Sequence, residues 1–353
     1  MGVKQGAIMS MLYYVCYIND LIAELNQSAL GIDILGRKCC AIAYADDIAV
    51  FSLHTEGMQR LIDMAVSYSK MWRFTFSARK CAYIIYGESN TDKAARRVCK
   101  KTLRLDTKQL DEVSEYMHVG LMNRVDWKIP MDWIVKNIAR AKRAFYSALG
   151  TSLQKTSLSP VSLAKIFSAV SITKLLYGAG VRYFGEEEID MYERFQRDMG
   201  KAIQNLPKNC PDPVPLSTLG WKKICYQIDL EKLAFMHRIL SRANCMYREI
   251  FVRRFFYILY NDTVARFGPV AQIIRICQKY GMLGDVRDMI LYAQIPSKTA
   301  WMKSCKDTLM DHEFTRWRLQ LRLYRKLSDF RVIHTVIDVS VWSVISRYNV
   351  YLK

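Results

Sequence analysis

The chain contains no Cys-x-x-Cys pair, although it has ten cysteines. That excludes zinc ribbons and zinc knuckles, which need thiolates at close, paired spacing. Cys305 and His312 come nearest to such a set and lack two further ligands. Scattered at 16, 39, 40, 81, 99, 210, 225, 245, 277 and 305, the cysteines read as reduced, mostly core side chains of an intracellular protein, nuclear or cytoplasmic. Long apolar runs are absent too. The stretch from Ile8 to Ile18 ends in Asn19-Asp20 after about eleven residues, and no run elsewhere reaches spanning length. It is read as a buried helix; neither a membrane span nor a signal peptide is expected. Internal repeats and low-complexity segments are also missing. Proline is scarce, eight in all, and Pro207, Pro211, Pro213 and Pro215 crowd into one place. A helix cannot run through that cluster, so it is read as a linker.

Acidic residues are in deficit. Against 52 Lys and Arg stand 33 Asp and Glu, giving a net charge of +19. Residues 1–90 carry eight of each sign, so the whole excess lies downstream. A surface of that sign suits phosphate-bearing partners, whose salt-sensitive backbone contacts supply most non-specific nucleic-acid affinity. The spacing predicts a helix over 131–149, with Ile134, Ile138, Ala141, Phe145 and Leu149 on one face. Lys136, Arg140 and Arg143 fall on the opposite face as a basic ridge. With 51% hydrophobic residues the chain has ample material for packed cores.

Among what is present, Tyr44-Ala45-Asp46-Asp47 is the most informative. It interrupts the apolar stretch from Cys39 to Ser52, which reads as two core strands joined at a hairpin tip. Two adjacent carboxylates in half-buried surroundings need compensating cations. Where oxygen ligands meet phosphate, that cation is usually Mg²⁺, as in two-metal phosphoryl transfer.

Around the pair lie Gly2-Val3-Lys4-Gln5-Gly6 and Ser10 upstream, then Phe74 to Cys81 with Lys80, Tyr83 to Gly87, and Tyr116-Met117-His118-Val119-Gly120. In this order the set resembles the palm of reverse transcriptases, specifically those of non-LTR (LINE-type) retrotransposons. Gly-Val-Lys-Gln-Gly is similar to the family's B motif, Tyr-Ala-Asp-Asp to its C motif, the Lys80 segment to D and Tyr116–Gly120 to the primer-grip E motif. The resemblance extends through Leu158-Ser159-Pro160 and Lys174-Leu175-Leu176-Tyr177-Gly178, over roughly residues 2–240.

It implies an RNA-directed DNA polymerase acting on an RNA template and DNA primer with deoxynucleotides and Mg²⁺. Asp46 and Asp47 would be metal ligands. Lys80 would neutralise or protonate departing pyrophosphate. Lys4, Gln5 and Gly6 would line the nucleotide and template pocket, and Tyr44 would pack beneath the primer end. His118, Val119 and Gly120 would form the primer grip, and Lys136, Arg140 and Arg143 a contact with the nucleic-acid backbone.

The family also uses an aspartate on a strand N-terminal to the B motif, and here Met1 stands directly against that motif. This chain alone is therefore expected to be inactive, a truncated palm. The alternative is a non-catalytic nucleic-acid-binding protein derived from such an element. The expected fold is α+β: a palm remnant over 1–125, a helical thumb-like region over 126–206 and a mainly helical region over 207–353. Residues 316–322 alternate apolar and polar, which leaves strand and helix equally open.

If the ridge on 131–149 grips a nucleic-acid backbone, neutralising Lys136, Arg140 and Arg143 together will flatten the dependence of RNA or DNA affinity on salt. Fluorescence anisotropy over a salt series measures this, and an unchanged slope refutes it.

Overall fold

The computed structural model describes residues 9–34, 36–87, 102–126, 129–150, 158–243, 245–261 and 268–343. The chain divides into two compact units, Met1–Trp127 and Lys128–Lys353. It is α+β: short strand pairs lie in the first unit, and the described elements of the second are helical.

The first unit begins with α1 (Ser10–Gln27), whose buried positions Ile18, Leu21 and Leu25 are spaced three and four apart. The apolar run from Ile8 to Ile18 is not buried throughout. Leu12, Tyr13 and Val15 are exposed, because the helix has one covered stripe and these fall off it. Two hairpins follow, β1 (Ile32–Ile34) with β2 (Arg37–Cys39), then β3 (Ala41–Tyr44) with β4 (Asp47–Val50). Gly31 packs against the second strand so closely that a Cβ there would meet the Cys39 carbonyl oxygen at 2.3 Å.

Next comes α2 (Thr55–Met71), which buries Leu61, Ile62, Ala65, Val66 and Tyr68. It ends where Arg73 adopts φ +57. There the Phe74 and Arg73 amides donate back to the Ser69 and Lys70 carbonyls, a Schellman closure. Tyr17, Tyr68, Trp72, Phe74 and Phe76 form an aromatic cluster beside it, with ring centroids 5.2–6.3 Å apart. Two hydroxyls bolt the helices together, Tyr17 donating to the Trp72 carbonyl and Tyr68 to the Tyr17 carbonyl, both at 2.7 Å.

After the Lys80 turn comes the short strand β5 (Ala82–Tyr83). Beyond it lie β6 (Arg104–Leu105), β7 (Lys108–Gln109) and β8 (Asp111–Glu112), with β8 parallel to β5. The unit closes with the hairpin of β9 (Glu115–His118) and β10 (Leu121–Arg124).

In the second unit α3 (Met131–Leu149) matches the expected helix. Ile134, Ala141, Phe145 and Leu149 are buried, while Ile138 is half-buried. Ser159 caps α4 (Pro160–Phe167) by accepting the Ser162 amide, and Pro160 occupies the first helical position. A π-helical turn over Ser168–Ile172 lets the buried Ser171 hydroxyl donate to the Ala141 carbonyl at 2.8 Å and leads into α5 (Thr173–Leu175).

Glu186-Glu187-Glu188 opens α6 (Glu186–Ile203), where carboxylates oppose the positive end of the helix dipole. Glu188 is not solvated, however. It is buried and pairs with buried Arg182 at 2.7 Å.

The four prolines do not form a linker. Pro213 and Pro215 are buried in α7 (Pro213–Ser217), and Gln204 donates to the Pro215 carbonyl at 2.8 Å. α8 (Ile224–Leu240) is buried on two sides. Ile224 and Ile228 enter a core with α3, α4 and α6. Leu233, Met236 and Leu240 enter another with α9 (Met246–Tyr260), α10 (Pro269–Lys279) and α11 (Leu283–Leu291). A helix covered all round reads weakly amphipathic in sequence.

The last long helix, α12 (Lys298–Arg322), settles residues 316–322 as helical; a short α13 (Ser328–Ile333) follows. Its buried residues are Trp301, Cys305, Leu309, Glu313, Trp317 and Leu321, every fourth position, whereas Leu319 is exposed.

Lys232 of α8 is fully buried and donates to the Arg182 carbonyl. Burial, then repulsion from Arg182, pulls its ammonium down to about 7. Between that value and the ordinary lysine range the unfolded chain binds more protons than the folded one, so stability rises with pH across this window. Lys232→Met should raise stability at neutral pH by about 1–3 kcal/mol. It should also abolish the rise between neutral and alkaline pH, as read by urea unfolding at several pH values; a parent-like pH profile in the variant contradicts the assignment.

Candidate active site

The acidic hairpin is built as its sequence suggests, but it is more open. In register, Ala41 faces Val50, Ile42 faces Ala49, Ala43 faces Ile48 and Tyr44 faces Asp47. The two residues between the strands are Ala45 and Asp46, and Ala45 holds φ +51. A positive φ at the first position of a two-residue loop matches the right-handed strand twist, and a side chain there carries some strain.

Ala41, Ile48 and Val50 join the core made by α1 and α2, so one face of the hairpin is covered. Ile42 and Tyr44 point the other way and are exposed, Tyr44 by 65%. Asp46 and Asp47 are exposed as well, not half-buried as expected. The core made with α1 and α2 takes in Ala41, Ile48 and Val50 and leaves both carboxylates outside it. Solvent meets the cost of the paired charge.

Three residues invisible to motif reading shape this tip. Asn26, near the end of α1, accepts the Cys40 and Ala41 amides on Oδ1 at 2.7 and 3.0 Å and donates Nδ2 to the Ala41 carbonyl at 3.1 Å. Ser52 anchors the other strand by donating to the Leu30 carbonyl at 2.8 Å. Tyr14 lies close enough to feel both carboxylates. Its phenol is pushed up by burial first, then by the charges of Asp46 and Asp47 and lastly by Tyr17. The only hint of Tyr14 in the sequence is its place four residues before Ile18, on the covered stripe of α1.

The second group of expected residues assembles around the other hairpin. Val119 and Gly120 are its two loop residues, with φ +50 and +72, a type I′ pattern that a β-branched valine adopts only under constraint. His118 and Val119 are half-buried and Gly120 is exposed. Arg124 closes the base by pairing with Glu115, its register partner, and with Asp126 at 3.0 Å. Lys80 ends a short 3₁₀ turn over Ala78–Lys80 and is exposed. Its carbonyl accepts the Tyr116 hydroxyl at 2.8 Å, which ties the Lys80 segment to this hairpin. Lys4, Gln5 and Gly6 lie outside the described residues.

In the second unit Lys136, Arg140 and Arg143 are all exposed on α3, one helical turn apart. Lys136 is engaged by Asp132 at 3.2 Å, a solvent-exposed pair of little energetic weight.

Two carboxylates have the oxygen chemistry that Mg²⁺ takes, but a two-metal centre takes more of them. Among the described residues no group of three His, Cys, Asp or Glu is placed to hold a metal ion. Asp46 and Asp47 by themselves do not make up such a centre. Among the same residues no helix is long and apolar enough to cross a membrane.

Residues 1–117 match the family model of reverse transcriptase (RNA-dependent DNA polymerase). The match takes in the acidic hairpin and the Lys80 turn and ends inside β9, so it covers most of the first unit and none of the second. No curated protein matches the chain.

Removing the Asn26 side chain leaves two hairpin amides without acceptors. Asn26→Ala should cost about 2–4 kcal/mol in urea unfolding, and Asn26→Asp, which keeps the acceptor, less than half as much. Equal losses in the two variants contradict the assigned bonds.

Proposed function

We propose that the first unit is the motif-B-to-E part of a reverse-transcriptase palm of the non-LTR retrotransposon type, and that its chemistry is RNA-templated transfer of deoxynucleotides to a primer 3′ end. One observation carries this reading: two adjacent, solvent-facing carboxylates at the tip of a tight hairpin, inside a segment that matches the reverse-transcriptase family. Open carboxylates with no cation paired to them among the described residues suit Mg²⁺ held between protein and phosphate. Tyr44, exposed and opposite Asp47, offers an aromatic face beside that position, where a primer end can stack. The loop of Val119 and Gly120 presents backbone to nucleic acid, and Lys80 beside that hairpin supplies a cation for the leaving phosphate.

Two carboxylates are short of a working centre, so catalysis requires a third, which the described residues do not place beside them. By itself the chain is expected to bind primer–template without extending it. A non-catalytic nucleic-acid-binding protein is the second reading. It is favoured by the positive excess confined to the region beyond residue 90 and by the exposed ridge on α3.

An extension assay with an RNA template, annealed DNA primer, deoxynucleotides and Mg²⁺ tests the centre and the assignment of Asp46. No incorporation together with salt-sensitive binding supports an incomplete centre. Incorporation that Asp46→Asn abolishes shows the centre to be complete and the carboxylate assignment right. Incorporation that survives Asp46→Asn overturns that assignment.

A further inference from the structure

We propose that the second unit carries a phosphate-binding pocket of its own, between the end of α8 and the start of α12. A cavity of about 770 Å³ opens there, the size of a small-ligand site. Among the described residues, Arg238, Arg242, Arg248 and Lys298 line it, together with His237 and Ser297, and no carboxylate does. Among the described residues none of the four cations takes part in an ion pair. Like charges gathered about one hollow repel one another, and an anion in the hollow relieves the repulsion.

The remaining features point to a phosphate group rather than to diffuse charge. The Nε of Arg248, a residue of the wall, is buried and has no hydrogen-bond partner among the described residues. Ser297 caps α12 by accepting the Ala300 amide at 3.2 Å. That leaves the amides of Lys298 and Thr299 at the open, positive end of a 25-residue helix.

The walls are fixed before any ligand arrives. The buried His237 ring is bonded through Nε2 to the Pro296 carbonyl at 2.8 Å and stacks on Trp301 with centroids 6.2 Å apart. The indole N–H of Trp301 donates in turn to the Leu233 carbonyl at 3.1 Å. A guanidinium-rich, preformed hollow at a helix N-terminus takes a phosphate oxyanion, either a diester of a nucleic-acid strand or the terminal phosphates of a free nucleotide.

Arg238, Arg242 and Lys298 are exposed, so replacing all three with alanine leaves the packing intact, which a thermal melt of the full chain checks. Should the melt shift, the single exposed substitution Arg242→Ala serves instead. The probes are a fluorescein-labelled oligouridylate without divalent metal, read by anisotropy over a salt series, and inorganic pyrophosphate, read by calorimetry.

If a strand backbone occupies the pocket, the triple variant binds the RNA about tenfold more weakly. The magnitude of its log–log salt slope then falls by about 2, and Arg238→Lys with Arg242→Lys restores most of the loss. If free nucleotide phosphates occupy it, pyrophosphate binds the parent but not the variant, and RNA affinity is unchanged. RNA affinity, salt slope and pyrophosphate heat all unchanged by the variant overturn the proposal. None of these readouts involves nucleotide incorporation, so they stand or fall apart from the polymerase reading.

Discussion

The geometry of the first unit depends on how a two-stranded hairpin is held when no further strand pairs with it among the described residues. A ribbon of two strands is marginal in water unless something else fixes its base and covers a face. Here Asn26 does the first. One carboxamide satisfies two amides and a carbonyl where β3 begins, so the helix end and the strand start move as one piece. The Tyr17 and Tyr68 hydroxyls do the second indirectly, by locking α1 to α2 so that both helices present one continuous apolar floor. The carboxylate tip is thereby positioned without being buried. Placement of charged groups is bought with uncharged hydrogen bonds several residues away, which avoids the larger desolvation cost of enclosing the charges.

How far the sequence discloses this varies with the range of each interaction. The hairpin at Tyr44–Asp47 and the helix over 131–149 were legible because their signals are local: apolar runs around an acidic pair, and a clean 3.6-residue stripe. Ser159-Pro160 was legible as a motif, and the structure shows that the same two residues are the cap and first turn of a helix. Asn26 was not legible, since a polar residue near a helix end is commonplace and its partners lie 14 and 15 residues on. The buried set of Arg182, Glu188 and Lys232 was hidden for the same reason. Lys232 meets the Arg182 carbonyl across 50 residues, and charged residues at such spacing look like ordinary surface. The proline cluster misled because proline reports only that a helix cannot continue, not whether the chain there is exposed.

The second unit is organised around α8, which is covered on two sides. On α8, Asp229 is matched by Lys279 at 2.9 Å and by the Tyr280 hydroxyl at 2.8 Å. Burial, and then the Asp229 charge, pushes that hydroxyl far up. Arg182 lies with its guanidinium carbon 3.9 Å from the centre of the Phe184 ring while it pairs with Glu188. Polar groups inside this unit thus cross-link helices at defined points, and the apolar surface fills the space between.

The four-residue spacing of buried positions along α12 has a further consequence. Four residues advance a helix by about 400°, so each successive buried side chain is turned by about 40° from the last. From Trp301 to Leu321 the covered line therefore winds through roughly half a revolution, a barber-pole path rather than a straight seam. Trp301, Cys305 and Leu309 face the core shared with α8, whereas Trp317 has rotated round to the buried prolines and donates to the Pro213 carbonyl at 3.4 Å. The helix thus encodes an angle as well as a length. Loss of a single residue midway would swing its two ends out of phase by about 100°, while loss of four would misalign them by only about 40°.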